Sequence, residues 1–361
     1  MLELPTPSLV IDQPTLERNV RRMAEYTRSH NLALRPHTKT HKSLRLAKLQ
    51  LDAGASGLTV AKVGEAEIFA KTRADLLLAY PTVDPHRCTK VAELARQHKV
   101  RVALDSELAA QRLSSAAQAA GSHVTVLVDL DVGMHRTGVA SPADALNLAQ
   151  AIEKLPHIKV AGLFFYPGQI PGQSTTKLEQ LRAVDALLEE TLALWKQSGI
   201  EASIVSGGST PTALDSHLIK NQNEIRPGTY VFNDMNSVRG GVVTLEDCAA
   251  FIVCTVISTA VAGQVVLDGG SKTFTSDRCG PAPDSGYGFI VEYPDAMIGK
   301  LTEEHAQVDI SNCSKVPALG EHVRVIPNHI CPCVNLQDQV WLRRLDGELE
   351  PLVVDARGKL Q

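Results

Sequence analysis

Along the first two thirds of the chain, short β-branched or leucine-rich runs alternate with longer stretches whose apolar residues recur at helical spacing. The runs Ser8 to Ile11, Leu34 to Pro36, Gly57 to Ala61, Asp75 to Ala79, Arg101 to Leu104, Thr125 to Asp129, Val160 to Phe165 and Ala202 to Ser206 read as strands. Their near-continuous apolar character suits strands covered on both faces. Leu16, Val20 and Met23 in one intervening stretch, and Leu178, Leu181, Val184, Leu187 and Leu188 in another, keep the helical period and predict amphipathic helices. Strand and helix alternate about eight times, which favours a parallel (β/α)8 TIM-type barrel. A doubly wound sheet with extra units is the alternative reading of the same pattern.

After Asp234 the rhythm changes. Ala249 to Ile257, Gln264 to Leu267 and His322 to Ile326 read as strands with no long helices between them. The expected organisation is therefore an α/β barrel over residues 1–238 and a β-rich second domain over 239–361, with the N-terminal few residues as candidates to join the latter. There is no internal repeat and no low-complexity tract.

Composition narrows the function. With 361 residues, 44% hydrophobic and 21% charged, the chain can bury one large core and a smaller one. A formal net charge of −4 and the lack of any Lys/Arg block speak against nucleic-acid and membrane partners and for a small-molecule ligand. Met1-Leu2-Glu3-Leu4-Pro5 lacks the basic and apolar regions of a signal peptide, and no run approaches the roughly 20 apolar residues of a membrane span. Seven cysteines scattered from Cys88 to Cys333 do not form the framework of a small secreted domain. Reduced thiols and a cytoplasmic location are expected.

In a barrel, chemistry gathers at the C-terminal ends of the strands. Lys39, in Arg35-Pro36-His37-Thr38-Lys39-Thr40-His41-Lys42, follows one such end; a lysine there can hold an aldehyde cofactor as a Schiff base, and otherwise belongs to a solvated basic loop. Arg136 and Tyr166 lie beyond later strands, and a salt bridge from Arg136 to Asp129 or Asp131 is its simpler alternative role. Gly207-Gly208-Ser209-Thr210 can present backbone N–H groups and two hydroxyls to a phosphate, with Gly228-Thr229-Tyr230 adding contacts from the next turn; a tight turn alone also explains the glycines. Near the far terminus, His329-Ile330-Cys331 lets an imidazole and a thiolate reach one ion from an extended segment, with Cys333 as a competing ligand or a buried thiol. That N/S pair suits zinc better than magnesium or calcium.

The ordered set Leu4-Pro5-Thr6-Pro7, Arg35 to Lys42, Leu77-Leu78-Ala79-Tyr80-Pro81, Gly133-Met134-His135-Arg136-Thr137-Gly138, Ser209-Thr210-Pro211, Pro227-Gly228-Thr229-Tyr230 and His329-Ile330-Cys331 resembles the D-threonine aldolase and D-serine dehydratase family. These are fold-type III pyridoxal 5'-phosphate enzymes related to alanine racemase, and the resemblance spans nearly the whole chain. It implies a barrel joined to a β domain, a homodimer, and a small-molecule D-amino acid substrate. Lys39 would be the Schiff-base lysine, Arg136 would lie by the cofactor ring with His37 and Tyr166 also among the cofactor residues, and Ser209, Thr210, Gly228, Thr229 and Tyr230 would hold the phosphate. His329 and Cys331 would bind Zn2+ (or Mn2+), since dehydratases of the group carry His-x-Cys where well-known aldolases carry His-x-Asp.

The resemblance thus implies a lyase of D-3-hydroxy-α-amino acids. A metal acting on the β-hydroxyl as a Lewis acid can promote β-elimination or a retro-aldol step. The family's aldolases carry a histidine shortly after the tyrosine that here is Tyr166, whereas Pro167-Gly168-Gln169 follows it in this chain, which favours a D-serine-type dehydratase over a D-threonine-type aldolase. Arg226 resembles the arginine that faces the pyridine nitrogen in alanine racemase, which keeps racemisation as a minor alternative; an ion pair with Glu224 is its structural alternative. A non-catalytic pyridoxal phosphate carrier is a further alternative, one that would have no use for a metal pair.

Overall fold

The computed structural model describes residues 4–279 and 285–361. The chain divides into two compact units: Arg21–Lys39, Leu44–Gly228 and Lys359–Gln361 make one, and Met1–Val20, Thr40–Ser43 and Thr229–Gly358 make the other.

The first unit is an eight-stranded parallel barrel. In chain order its strands are Ala33–Leu34, Leu58–Val60, Leu76–Leu78, Val100–Leu104, Val124–Asp129, Ile158–Phe164, Ile204–Gly207 and Glu224–Ile225. From the second strand on, each pairs with the next in parallel, and the last pairs with the first. The remaining gap is closed by a parallel bridge between His37 and Thr59 and by bonds from the Ser56 N–H to Leu34 O and the Thr59 N–H to Pro36 O, both 2.8 Å. Helices follow most strands and stop and start on local signals. Asp84 and Ser141 cap Pro85–Leu94 and Pro142–Glu153, each accepting a backbone N–H three residues on, and each helix has proline at its first position. Glu107–Ala120 ends on Gly121 at φ 64°.

The expected strand count is right, but its membership shifts. Ser8–Asp12 is not a barrel strand; it lies in the second unit, antiparallel to Ala250–Ser258 and parallel to Gln339–Arg343. Its place in the barrel count is taken by Glu224–Ile225, a two-residue strand that opens on a charged residue and so carries no hydrophobic-run signal. Lys39 therefore follows the first barrel strand, Arg136 the fifth, Tyr166 the sixth and Ser209 the seventh.

Within the barrel, Leu77, Ala103, Leu127 and Phe164 form one apolar cluster. Two residues earlier on the same strand faces stand Asp75 and Arg101, so the cluster passes into a layer of charge. Arg35, buried, donates to Glu224 at 2.7 Å and to Asp75 at 3.1 Å, and Arg101 reaches Asp75 at 2.6 Å. Every charge in this layer has a partner of opposite sign, which is the condition for burying it.

The second unit is built on a nine-stranded sheet. Its central strand Ala250–Ser258 pairs with Ser8–Asp12, Gln264–Leu267 and His322–Ile326, all antiparallel. Leu4, Val10, Phe251, Val253 and Ile326 share one core cluster with Met235 and Cys279. No helix among the described residues is long and apolar enough to cross a membrane.

Candidate active site

Lys39 sits in the short helical turn Thr38–Thr40, at the C-terminal mouth of the barrel. Bonds to neighbouring strands hold that turn. The His37 N–H donates to Pro227 O at 3.0 Å, the Thr38 hydroxyl donates to Thr59 O at 3.0 Å, and the Thr59 hydroxyl donates back to Arg35 O at 2.9 Å. The first ties the lysine turn to the residue before Gly228, so the barrel brings together two motifs nearly two hundred residues apart in sequence. Lys39 itself is exposed and carries no ion pair among the described residues.

The phosphate-type turn follows the seventh strand. Gly208 adopts φ +85°, which favours glycine, and a Cβ there would come 3.1 Å from that of Ile225. Ser209 is buried and its hydroxyl lies 3.0 Å from that of Thr212, which organises the turn from within. The N–H groups of Gly208 and Thr210 have no partner among the described residues, so the turn offers open donors to an anion. Gly228 closes this unit. Thr229 and Tyr230 belong to the other, in the short helical turn Thr229–Val231, with Tyr230 buried.

Arg136 projects from a loop held by acids at its base. Asp131 accepts the N–H groups of Gly133 and His135 at 2.9 and 3.0 Å and meets the His135 ring at 2.6 Å, while Asp129 accepts the Thr137 hydroxyl at 2.8 Å. With those carboxylates so engaged, Arg136 makes no ion pair with either; its guanidinium lies over the Tyr166 ring, 4.6 Å from the centroid. Gly168 permits this, since a Cβ there would fall 2.2 Å from the Tyr166 ring. Gln169 donates to Val132 O at 2.6 Å, and its Oε1 is a buried acceptor without a partner among the described residues.

Asp129 and Arg226, both possible ion-pair partners by sequence, are buried at this mouth. Burial pushes the Asp129 carboxyl up to about 6, despite the Thr137 hydroxyl and the Arg226 and Arg136 charges, with Asp105 adding to the rise. Arg226 does not pair directly with Glu224 as expected. It donates to Ser206 Oγ and Phe165 O, both at 2.7 Å, and Ser206 in turn donates to Glu224 at 2.6 Å. The reason is competition, because Arg35 already holds that carboxylate. Burial brings the Arg226 guanidinium down to about 10, against the pull of Glu224 and Asp129.

In the second unit, His329 is extended and precedes the short helix Ile330–Asn335, so Cys331 lies in a first helical turn instead of the extended segment expected. Buried Asp234 anchors the turn by accepting the Ile330 N–H at 3.1 Å. Asn328 ties the preceding segment to Asp277 O and Gly286 O, and Asp277 Oδ2 stands 2.8 Å from His329 Nδ1. Cys331 Sγ lies 3.3 Å from Thr40 Oγ1 and 3.8 Å from Thr229 Oγ1. Cys333 is excluded as a rival by its surroundings: it is fully buried, with Sγ directed at Phe274 O and His329 O.

Each member of the pair favours the charged form of the other. Burial opposes the charge on His329, but the Cys331 sulfur, then Asp277 and Asp234, outweigh it and raise the ring to about 9. Burial likewise opposes the Cys331 thiolate, and His329 outweighs it, holding the thiol below its usual value. Such a thiolate and ring nitrogen fit a zinc-like ion, and Asp277 on the other nitrogen is the usual support for a ligating histidine. No cluster of three or more such side chains occurs among the described residues. Asp277 and Asp234 lie 52 and 96 residues from the groups they hold, and no local signal in the sequence reveals them.

Known proteins resemble this chain over nearly its whole length. Residues 11–236 match the family model of the alanine racemase N-terminal domain, and residues 249–342 match a putative serine dehydratase domain. The D-threonine aldolase of an Arthrobacter species is 33% identical over 98% of this chain and 93% of its own. The D-threo-3-hydroxyaspartate dehydratase of Delftia sp. HT23 is 33% identical over 92% of each. In structure, the D-threonine aldolase from Filomicrobium marinum superposes with a TM-score of 0.91 at 28% identity, covering 99% of this chain and 97% of its own. The Delftia dehydratase is also known as a histidine-to-alanine mutant and as a cysteine-to-alanine mutant in a metal-free form. With an alanine racemase-type barrel joined to a serine dehydratase-type β domain, the chain belongs to the D-threonine aldolase and D-serine dehydratase family of pyridoxal phosphate-dependent lyases.

Proposed function

We propose that this enzyme is a metal-dependent dehydratase of D-3-hydroxy-α-amino acids, of the D-serine dehydratase type, releasing ammonia and a 2-oxo acid. The observation that carries the reading is the His329 and Cys331 pair with Asp277 behind it. The two positions mutated in the Delftia dehydratase, a histidine and a cysteine two residues apart, repeat this spacing and support a metal role.

Lys39 would hold the cofactor through Nζ, with Ser209, Thr210 and the N–H of Gly208 on its phosphate, Gly228, Thr229 and Tyr230 adding to that cradle, and His37, Arg136 and Tyr166 completing the set. When bound, pyridoxal phosphate accepts electron density from a breaking bond at the substrate Cα. Lys39 Nζ is the base for the Cα proton. His329 Nε2 and Cys331 Sγ would hold a divalent cation, Zn2+ first and Mn2+ second, which would supply Lewis-acid chemistry at the substrate's β-hydroxyl. The absence of a histidine after Tyr166 favours elimination over retro-aldol cleavage, since Gln169 there has no titratable group to take the hydroxyl proton. Our reading places the enzyme in the cytoplasm as a homodimer, with no nucleic-acid or membrane partner.

The test is product analysis with cofactor and zinc. Ammonia with pyruvate from D-serine, or with 2-oxobutyrate from D-threonine, supports the dehydratase. Glycine with acetaldehyde from D-threonine would replace it with the aldolase that the Arthrobacter relative exemplifies.

A further inference from the structure

Two cysteines stand two residues apart in Ile330–Asn335, and their sulfurs keep different company. Cys333 Sγ faces two carbonyl oxygens, Phe274 O at 3.2 Å and His329 O at 3.3 Å, which can only accept a proton from it. Cys331 Sγ faces two hydroxyls instead, Thr40 Oγ1 at 3.3 Å and Thr229 Oγ1 at 3.8 Å. A hydroxyl can donate to sulfur, so the surroundings of Cys331 accommodate a thiolate and those of Cys333 do not. Both threonines belong to the same compact unit as Cys331.

Thr40 makes the closer contact and is fully buried, whereas Thr229 is half-buried. Helical threonines elsewhere in this protein turn their hydroxyl back to a carbonyl four residues earlier, as Thr27 does to Met23 O at 3.1 Å, Thr89 to Pro85 O at 3.0 Å and Thr191 to Leu187 O at 2.7 Å. Thr40, in the turn Thr38–Thr40, makes no such bond among the described residues, and the partner its hydroxyl has there is the Cys331 sulfur. A metal-bound cysteine carries no proton, and the 3.3 Å contact then runs from the Thr40 hydroxyl to Sγ.

The backbone around the sulfur is fixed by other bonds. Asp234 accepts the Ser237 N–H on Oδ1 and the Ile330 N–H on Oδ2, both at 3.1 Å, and the Asn236 N–H donates to Asn328 O at 3.1 Å. None of these reaches the Cys331 side chain, whose rotation is left to the groups facing Sγ. Thr40 is the nearer of the two hydroxyls there, and it directly follows Lys39, so one short turn carries the candidate Schiff-base lysine and the sulfur's donor on successive residues.

We infer that Thr40 is a positioning residue of the metal site: its hydroxyl donates to Cys331 Sγ, sets the direction of the sulfur's remaining lone pairs and draws charge from it, so that less of that charge reaches the ion. The inference rests on the reading of His329 and Cys331 as metal ligands given above.

The test uses Co2+, whose bond to a thiolate gives a sulfur-to-metal charge-transfer band, read as the difference between Co2+-loaded and Zn2+-loaded holoenzyme. Thr40→Val, close to threonine in shape but without the hydroxyl, is expected to move the band to longer wavelength, because a sulfur without its hydrogen bond holds its electrons less tightly. It should also weaken Co2+ binding on the order of 10- to 100-fold. Thr40→Ser keeps the hydroxyl and should return the band to its wild-type position. Where Thr40→Val does not fold, Thr40→Ala carries the same expectation. An unmoved band in the variant without the hydroxyl overturns the inference even if binding weakens, since lost packing alone would weaken binding without changing the charge on sulfur; the metal reading would survive that result. A band shifted as far in Thr40→Ser also overturns it. A wild-type difference spectrum with no charge-transfer band would remove Cys331 from the metal, and the inference would fall together with the metal reading.

Discussion

Asp277 Oδ2 and His329 Nδ1 lie 2.8 Å apart, which engages one ring nitrogen and leaves Nε2 as the nitrogen available to a metal. In the proposed site, Asp277 would orient the ring for a metal at Nε2. Asp277→Ala is expected to weaken zinc binding about 10- to 100-fold, by competition against a chromophoric chelator. Unchanged affinity would mean that the ring is held by other contacts.

Metal removal should separate the two chemistries. His329→Ala, Cys331→Ser, or dialysis against a strong chelator is expected to abolish product formation while the visible absorbance of bound cofactor persists. Zinc should restore the chelated wild type and neither variant. Full activity in Cys331→Ser would remove the thiolate from the mechanism.

For Lys39, the decisive readout is covalent. Borohydride reduction of the wild-type holoenzyme should fix the cofactor to the peptide containing Lys39, and Lys39→Ala should carry no fixed cofactor and no activity. A label on any other lysine would displace Lys39 from its role.

Asp129 gives the barrel a pH signature. Burial raises its folded-state pKa from 3.8 to about 6, so in this interval the folded form binds more protons than the unfolded one. Its effect on stability is therefore most favourable in acid and is lost as pH rises through about 6. Above that pH the buried charge costs on the order of 3 kcal/mol, so Asp129→Asn, which keeps an acceptor for Thr137, should melt above the wild type at pH 8. The gap should narrow toward pH 4. A melting difference independent of pH would show that Asp129 titrates normally.

The charged layer inside the barrel should tolerate little. Glu224 is held by Arg35 at 2.7 Å and Ser206 at 2.6 Å, and removing its charge leaves a buried guanidinium short of a partner. Glu224→Gln is expected to lose about 3–5 kcal/mol in chemical denaturation. Gly57→Ala should be at least as harmful, because a Cβ there would fall 2.1 Å from Arg35 Nη1 and 2.4 Å from Asp75 O. Near-wild-type stability of either variant would show that the layer rearranges freely.

The candidate site could be proposed from the sequence because its pieces are local. Lys39, the Ser209-Thr210 turn and the His329 and Cys331 pair sit in short motifs whose order along the chain is distinctive. The supporting residues were not legible. Asp277 holds His329 across 52 residues, and Thr40 meets the Cys331 sulfur across 291. Leu178, which keeps the helical period, is 44% exposed, because the buried face of Lys177–Gln197 runs through Leu181, Val184, Leu188 and Trp195.

By itself, the sequence determined the alternation of strand and helix, the change to a β-rich region after Asp234 and which residues are candidates to bear a cofactor and a metal. Those are properties of hydrophobic period and side-chain chemistry, which act within a few residues. Only the tertiary structure decided which sheet received Ser8–Asp12, whose apolar run would suit either, and made a barrel strand of Glu224–Ile225, which has no run at all. Both outcomes depend on partners more than two hundred or nearly two hundred residues away, and strand pairing is settled by what the rest of the chain brings alongside.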